Sequence, residues 1–131
     1  MSEPADIPAW IAVDWGTSHL RLWPMNAAGD PLRRIDSDAG MGTLPRDGFE
    51  PALLELLEAE GLLGNTIPPI LVCGMAGSRQ GWAEAPYAVA PCNPPSAANA
   101  VRVLTADPRL NVRILPGIRQ DKPADVMRGE E

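Results

Sequence analysis

The sequence predicts an α/β fold in which a mixed five-stranded sheet carries helices on its faces. Three observations lead there. Three strand-like stretches joined by short turns open the chain, between Trp10 and Asp36. Leucines then recur at helical spacing from Phe49 to Leu57. Further on, Ile70-Leu71-Val72-Cys73 forms a continuous apolar run, which suits a central strand covered on both faces.

Trp10 to Val13 has the composition of a buried strand, and Leu20 to Trp23 alternates like a second. Leu32 to Asp36 is a third strand, more polar and so nearer an edge. Strands joined by such short turns make an antiparallel meander. Asp38 to Leu44 is a glycine-containing loop. Asp47 and Glu50 then resemble a capping box, and Pro51 is tolerated in a first helical turn. Phe49, Leu53, Leu56 and Leu57 give that helix an apolar stripe, and Gly61 stops it. Ile70 to Cys73 is the fourth strand. After a proline-rich crossing from Pro86 to Pro95, Ser96 caps a second helix running to about Ala106. That helix turns Ala97, Val101 and Leu104 inward and ends at Asp107-Pro108. Val112 to Leu115 is the fifth strand. The late strands are reached by helical crossovers, which makes them parallel to a neighbour. Pro116-Gly117 turns the chain outward, and Ile118 to Glu131 is polar with mixed charge. The element order matches the ribonuclease-H-like core.

Composition bounds the function. A chain of 131 residues, 45% hydrophobic, suffices for one domain with a real core. The net charge of -6 argues against nucleic acid or an anionic membrane surface as partner. An anionic substrate needs only a local basic cluster. Cys73 and Cys92 form no metal or redox spacing, and Cys73 reads as a small core residue. The first residues lack a basic region followed by an apolar stretch, and no run is long enough to span a membrane. A cytoplasmic location is expected.

Two stretches carry chemistry. In Asp14-Trp15-Gly16-Thr17-Ser18 a strand ends in a carboxylate, a glycine and two hydroxyls. Backbone N–H groups in such a turn make an anion-binding concavity, to which Thr17 and Ser18 add donors and Arg21 positive charge. Asp14 suits Mg2+ held through water. The alternative is an ordinary Asp-x-Gly turn in which Asp14 bonds its own backbone. In Gly74-Met75-Ala76-Gly77-Ser78-Arg79-Gln80-Gly81-Trp82, three glycines, an arginine and an indole look like a binding loop. The spacing fits neither the dinucleotide fingerprint nor the Walker A loop. The alternative is a tight passage anchored by Trp82. Ligands gather at strand ends in open α/β sheets, so the Gly16 turn and the Gly74 loop are expected at one edge. His19 is the one histidine and reads as an exposed turn residue.

Asp14-Trp15-Gly16-Thr17-Ser18 with Arg21 resembles the first phosphate motif of the actin-like sugar kinases. Together with Gly74 to Trp82, Pro86-Tyr87, Pro116-Gly117-Ile118-Arg119 and Met127-Arg128-Gly129-Glu130-Glu131, it resembles the 2-dehydro-3-deoxygalactonokinases across essentially the whole chain. The resemblance implies ATP-dependent phosphorylation of the 6-hydroxyl of 2-dehydro-3-deoxy-D-galactonate, with Mg2+. By position, Asp14 would hold the hydrated metal, and Gly16, Thr17 and Ser18 would cradle the terminal phosphates. Glu130 or Glu131 would be the base that accepts the hydroxyl proton. Gly77, Ser78, Arg79 and Arg119 would meet the sugar acid, the arginines through its carboxylate. Kinases of this superfamily have two lobes, so residues 1–131 read as the N-terminal lobe of one, expected to be inactive alone. Pairing with a second lobe or self-association through an exposed face follows from that. A ribonuclease-H-like nuclease would need several acidic residues around two metals, and the fourth strand ends without one. A non-catalytic module that binds a sugar acid or pairs with a subunit would keep the same fold and loops.

Overall fold

The computed structural model describes residues 8–40, 42, 44–74, 76, 81–83, 88–89, 100–115, 118–121 and 124–127. The main sheet has six strands: β1 (Trp10–Trp15), β2 (Leu20–Met25), β3 (Ile35–Ser37), β4 (Ile70–Cys73), β6 (Val101–Arg102) and β7 (Val112–Ile114), in the order β3-β2-β1-β4-β7-β6. One helix, α1 (Phe49–Ala59), is present among the described residues. A separate three-stranded sheet pairs β5 (Ala88–Val89), β8 (Ile118–Asp121) and β9 (Ala124–Met127) in the order β5-β8-β9.

The expected meander is there: β1 pairs antiparallel with β2, and β2 with β3. β4 lies parallel to β1, and β7 parallel to β4. Alternation sorts the side chains. Ile11, Val13 and Trp15 of β1, Leu20 and Leu22 of β2, and Val72 of β4 point to the α1 side and are buried. Phe49, Leu53 and Leu57 of α1 complete that core. Each such side chain stabilises the fold by roughly 1.5–3 kcal/mol.

The strand count and the second helix differ from expectation. Residues 96–99 lie outside the described residues, but 101–106 are not helical. Val101-Arg102 forms an edge strand antiparallel to β7, and the Val103 N–H donates to the Val112 carbonyl at 2.9 Å. The β-branched pair Val101 and Val103 alternates with Arg102 and Leu104, a period of two. Leu104, expected inward, is 95% exposed while Val103 is buried. Only the β1-to-β4 branch thus has a helical crossover among the described residues. The polar stretch after Gly117 supplies the hairpin of β8 and β9, which its short, charged strands concealed. β3 begins at Ile35 rather than Leu32, and β1 runs on to Trp15.

The capping box does not form. Gly48 is the N-cap of α1 and makes no side-chain cap bond, while Asp47 sits in a preceding 3-10 turn (Arg46–Gly48). The Glu50 carboxylate instead accepts hydrogen bonds from the Ala106 and Asp107 amides at 2.8 and 2.9 Å. It ties the start of the helix to the loop before β7. Asp107 in turn holds Arg109 at 2.7 Å, and Arg109 donates to the Gly64 carbonyl. The hydrogen bonds from Arg109 lower the Asp107 pKa from 3.8 to about 2. A depressed carboxylate stabilises the fold above its unfolded value, and the contribution is lost as pH falls through the folded value. Asp107→Asn is therefore expected to flatten the stability profile between about pH 4 and pH 2, read by urea unfolding. An unchanged profile in that window would remove the Asp107–Arg109 pair from the account.

Candidate active site

β1 and β4 run parallel, so both carboxyl ends reach the same edge of the sheet, where β2 begins. Asp14 pairs with Cys73 on one side and with Arg21 on the other. Because β1 continues past Val13, Asp14 stands on the strand itself rather than in the turn after it. Its carboxylate is half-exposed and lies 3.9 Å from the Arg21 guanidinium. Arg21 Nε is 3.5 Å from Asp36 of β3 and makes no hydrogen bond there. Asp14, Arg21 and Asp36 thus form a row across three strands, with the cation in the middle.

The turn between β1 and β2 is closed by Gly16, whose N–H donates to the His19 carbonyl at 2.9 Å. That amide is turned inward. Thr17, Ser18 and His19 are exposed at the tip. A Cβ on Gly16 would meet nothing nearer than the His19 carbonyl, at 3.8 Å. Neither packing nor a positive φ therefore requires glycine here.

Two other glycines are required by what surrounds them. Gly74, just after β4, has φ +95°, and a Cβ there would sit 2.9 Å from both Asp14 Oδ1 and the Trp15 carbonyl oxygen. The chain leaves β4 against the Asp14 carboxylate, so the Gly16 turn and the start of the Gly74 loop share one edge, as expected. Gly40 presses on the turn from outside: a Cβ would fall 2.3 Å from the Ser18 carbonyl carbon and 2.4 Å from the Thr17 oxygen. The Gly42 N–H donates to the Thr17 oxygen at 2.9 Å. Gly40 and Gly42, in a loop given no role from the sequence, brace the turn. Their Gly-x-Gly spacing was the available signal.

Beneath the turn, Trp15 is fully buried and donates its indole N–H to the Ala39 carbonyl at 2.8 Å. Its ring contacts Phe49 at 4.9 Å and Trp82 at 5.7 Å. Trp82, 7% exposed, is therefore the packing anchor of its loop. Beside this cluster an open cleft of about 970 Å³ lies between the start of α1 and the loop before β7, lined in part by Arg46, Trp82 and Leu104. Cys73, read as core, is half-buried on the face away from α1.

The structure thus brings Asp14, Gly16, Thr17, Ser18 and Arg21 together. Gly77, Ser78, Arg79, Glu130 and Glu131 lie outside the described residues. Arg119 falls on β8, in the small sheet. Among the described residues no group of three or more His, Cys, Asp or Glu could hold a metal. No helix among them is long and apolar enough to cross a membrane.

The model of the 2-keto-3-deoxy-galactonokinase family matches residues 14–131, from the site aspartate to the last residue. The chain belongs to that family. A relative from Rhizobium meliloti (strain 1021), described as a probable 2-dehydro-3-deoxygalactonokinase, DgoK1, is 42% identical over 93% of this chain and 40% of its own length. The Escherichia coli (strain K12) 2-dehydro-3-deoxygalactonokinase is 32% identical over the same shares. A crystal structure of a candidate 2-dehydro-3-deoxygalactonokinase from Sinorhizobium meliloti superposes with a TM-score of 0.79, at 40% identity, over 92% of this chain and 39% of that one. The family is one of sugar-acid kinases by name. This galactonokinase-family chain spans about 40% of the length of the curated relatives it matches.

Proposed function

We propose that this chain supplies the first phosphate-binding elements and part of the sugar-acid site of a kinase. That kinase would transfer the terminal phosphate of ATP to the 6-hydroxyl of 2-dehydro-3-deoxy-D-galactonate. The supporting observation is the carboxyl edge of β1 and β4, where Asp14, the exposed hydroxyls of Thr17 and Ser18, and Gly74 adjoin. The open space over Gly16 is part of that support, because a glycine the lobe itself does not need leaves room for close approach of an external group.

Phosphoryl transfer asks the protein mainly for positioning and charge neutralisation. Thr17 and Ser18 bind the phosphate oxygens. Arg21, held between Asp14 and Asp36, adds positive charge without competing tightly for Asp14. A half-exposed carboxylate outside any acidic cluster among the described residues fits a hydrated Mg2+ shared with phosphates better than a protein-enclosed ion. Bound there through Asp14, the ion would neutralise phosphate charge. Gly77, Ser78, Arg79 and Arg119 are the proposed contacts of the sugar acid, the arginines through its carboxylate. Glu130 or Glu131 is the proposed acceptor of the hydroxyl proton. The compartment is proposed to be the cytoplasm.

ADP release with Mg-ATP and 2-dehydro-3-deoxygalactonate tests this, on the 131-residue chain and on a form extended to the length of its relatives. Activity is expected only in the extended form, and Asp14→Asn should lower it about 10³-fold. No ADP from either form would sink the kinase reading. Sugar-acid binding without ADP would then favour a non-catalytic module.

A further inference from the structure

Arg21 stands between two acids. Strand register sets Asp14 of β1 directly opposite it on one side and Asp36 of β3 on the other. Alternation puts all three side chains on the sheet face away from α1, because Leu20 and Leu22 fill the other face. A guanidinium carries five donors. That of Arg21 nevertheless donates no hydrogen bond, and its Nε is enclosed.

With Asp14 as its sole neighbour, an arginine would close into a short, bidentate ion pair. It lies 3.9 Å away instead. Asp36 accounts for the gap. Its Oδ1 lies 3.5 Å from Arg21 Nε and draws the guanidinium toward β3. Arg34, just before β3, accounts for why Asp36 does not capture Arg21 either. Arg34 Nε and Nη2 both sit on that same Oδ1, at 3.1 and 3.0 Å. The oxygen is already engaged, so it attracts Arg21 without bonding it. The four side chains are 38–56% exposed. Ion pairs at such exposure add little to stability, so stability does not explain the arrangement.

We infer that Asp36, with Arg34 behind it, is a positioning residue for Arg21. It holds the guanidinium off Asp14, so that the donors of Arg21 meet the terminal phosphate oxygens of a nucleotide and the Asp14 carboxylate stays open. Asp36 acts through Arg21 alone. This rests on the reading of the turn between β1 and β2 as a phosphate site.

Asp36→Asn, in the form extended to the length of the relatives, separates positioning from simple charge. If the summed field alone counts, removing an anion near a polyphosphate tightens binding. If Asp36 positions Arg21, its loss lets the guanidinium close on Asp14. The MgATP dissociation constant then rises about tenfold, the size of one charge-assisted hydrogen bond. Calorimetric titration with MgATP reads this at equilibrium, without sugar acid and without turnover. Asp36→Glu keeps a carboxylate beside Arg21 and is expected to stay within about threefold of the parent. Arg33→Ala breaks a different exposed ion pair, with Glu60 at 2.9 Å, and is expected to leave the constant unchanged. An equal or lower constant in Asp36→Asn would overturn the inference. An equal rise in Arg33→Ala would overturn it too, as would a parent protein that binds no MgATP. Binding of MgATP without ADP release would remove the kinase reading alone, and a tenfold loss in Asp36→Asn would still support the positioning.

Discussion

Trp15→Ala is expected to lower the thermal midpoint of the chain by roughly 10–20 °C, more than any other substitution proposed for this chain. Trp15 is fully buried between the sheet and α1. Its ring contacts both Phe49 and Trp82, and those two rings stack on each other at 6.0 Å. Truncation would leave a cavity where three aromatic side chains meet. Such losses run to about 3–5 kcal/mol, against a total stability of about 5–15 kcal/mol for a domain of this kind. The Ala39 carbonyl would lose its donor as well. Trp15→Phe keeps most of the volume and isolates that hydrogen bond, with an expected cost of about 1–2 kcal/mol. A midpoint shift below about 3 °C for Trp15→Ala would mean that the aromatic cluster does not hold the edge together.

Gly40→Ala should act on the site more than on the fold. The added methyl would meet Ser18, Thr17 and His19 through backbone atoms, which cannot swing aside as a flexible side chain can. Either the loop from Asp38 to Leu44 retreats or the turn between β1 and β2 shifts. Overpacking of this kind costs about 1–3 kcal/mol. In the extended form, the proposed ADP formation is expected to fall about 100-fold, because displacements near 1 Å have effects of that size on transfer reactions. Gly29→Ala is the control. Gly29 has φ +88°, and a Cβ added there would have nothing within 4 Å, so the substitution carries backbone strain of about 1–2 kcal/mol remote from the site. If Gly29→Ala lowers ADP formation as much as Gly40→Ala does, the effect is loss of stability and the bracing role fails.

The legible parts of the sequence were those with a local signal. The apolar run from Trp10 to Val13 and the alternation from Leu20 to Trp23 gave the hairpin, and the stripe of Phe49, Leu53, Leu56 and Leu57 gave α1. The continuous run Ile70–Cys73 gave the central strand with both its ends. The stretch from Val101 to Leu104 misled because Ala97, Val101 and Leu104 after a capping Ser96 also satisfy a helical pattern. Long-range pairing with Val112 decided the matter, and no residue nearby announces it. Asp47 and Glu50 had capping-box spacing, yet the Glu50 carboxylate found amides 56 and 57 residues away. At the site, Asp14 and Arg21 were legible as a motif. The bracing by Gly40 was not, since a glycine's role depends on what lies above it in space.

The parallel contact between β1 and β4 also sets an order in time. The hairpin of β1 and β2 closes over the short turn from Gly16 to His19, and hairpins form in about 1–10 μs. Asp14 can meet Gly74 only after the chain from Gly16 to Pro69, α1 included, has folded back, and such distant closure slows folding. The Asp14–Arg21 half of the edge therefore precedes the Gly74 half. A refolding chain is thus expected to form the row of Asp14 and Arg21 early and the contact between Asp14 and Gly74 later.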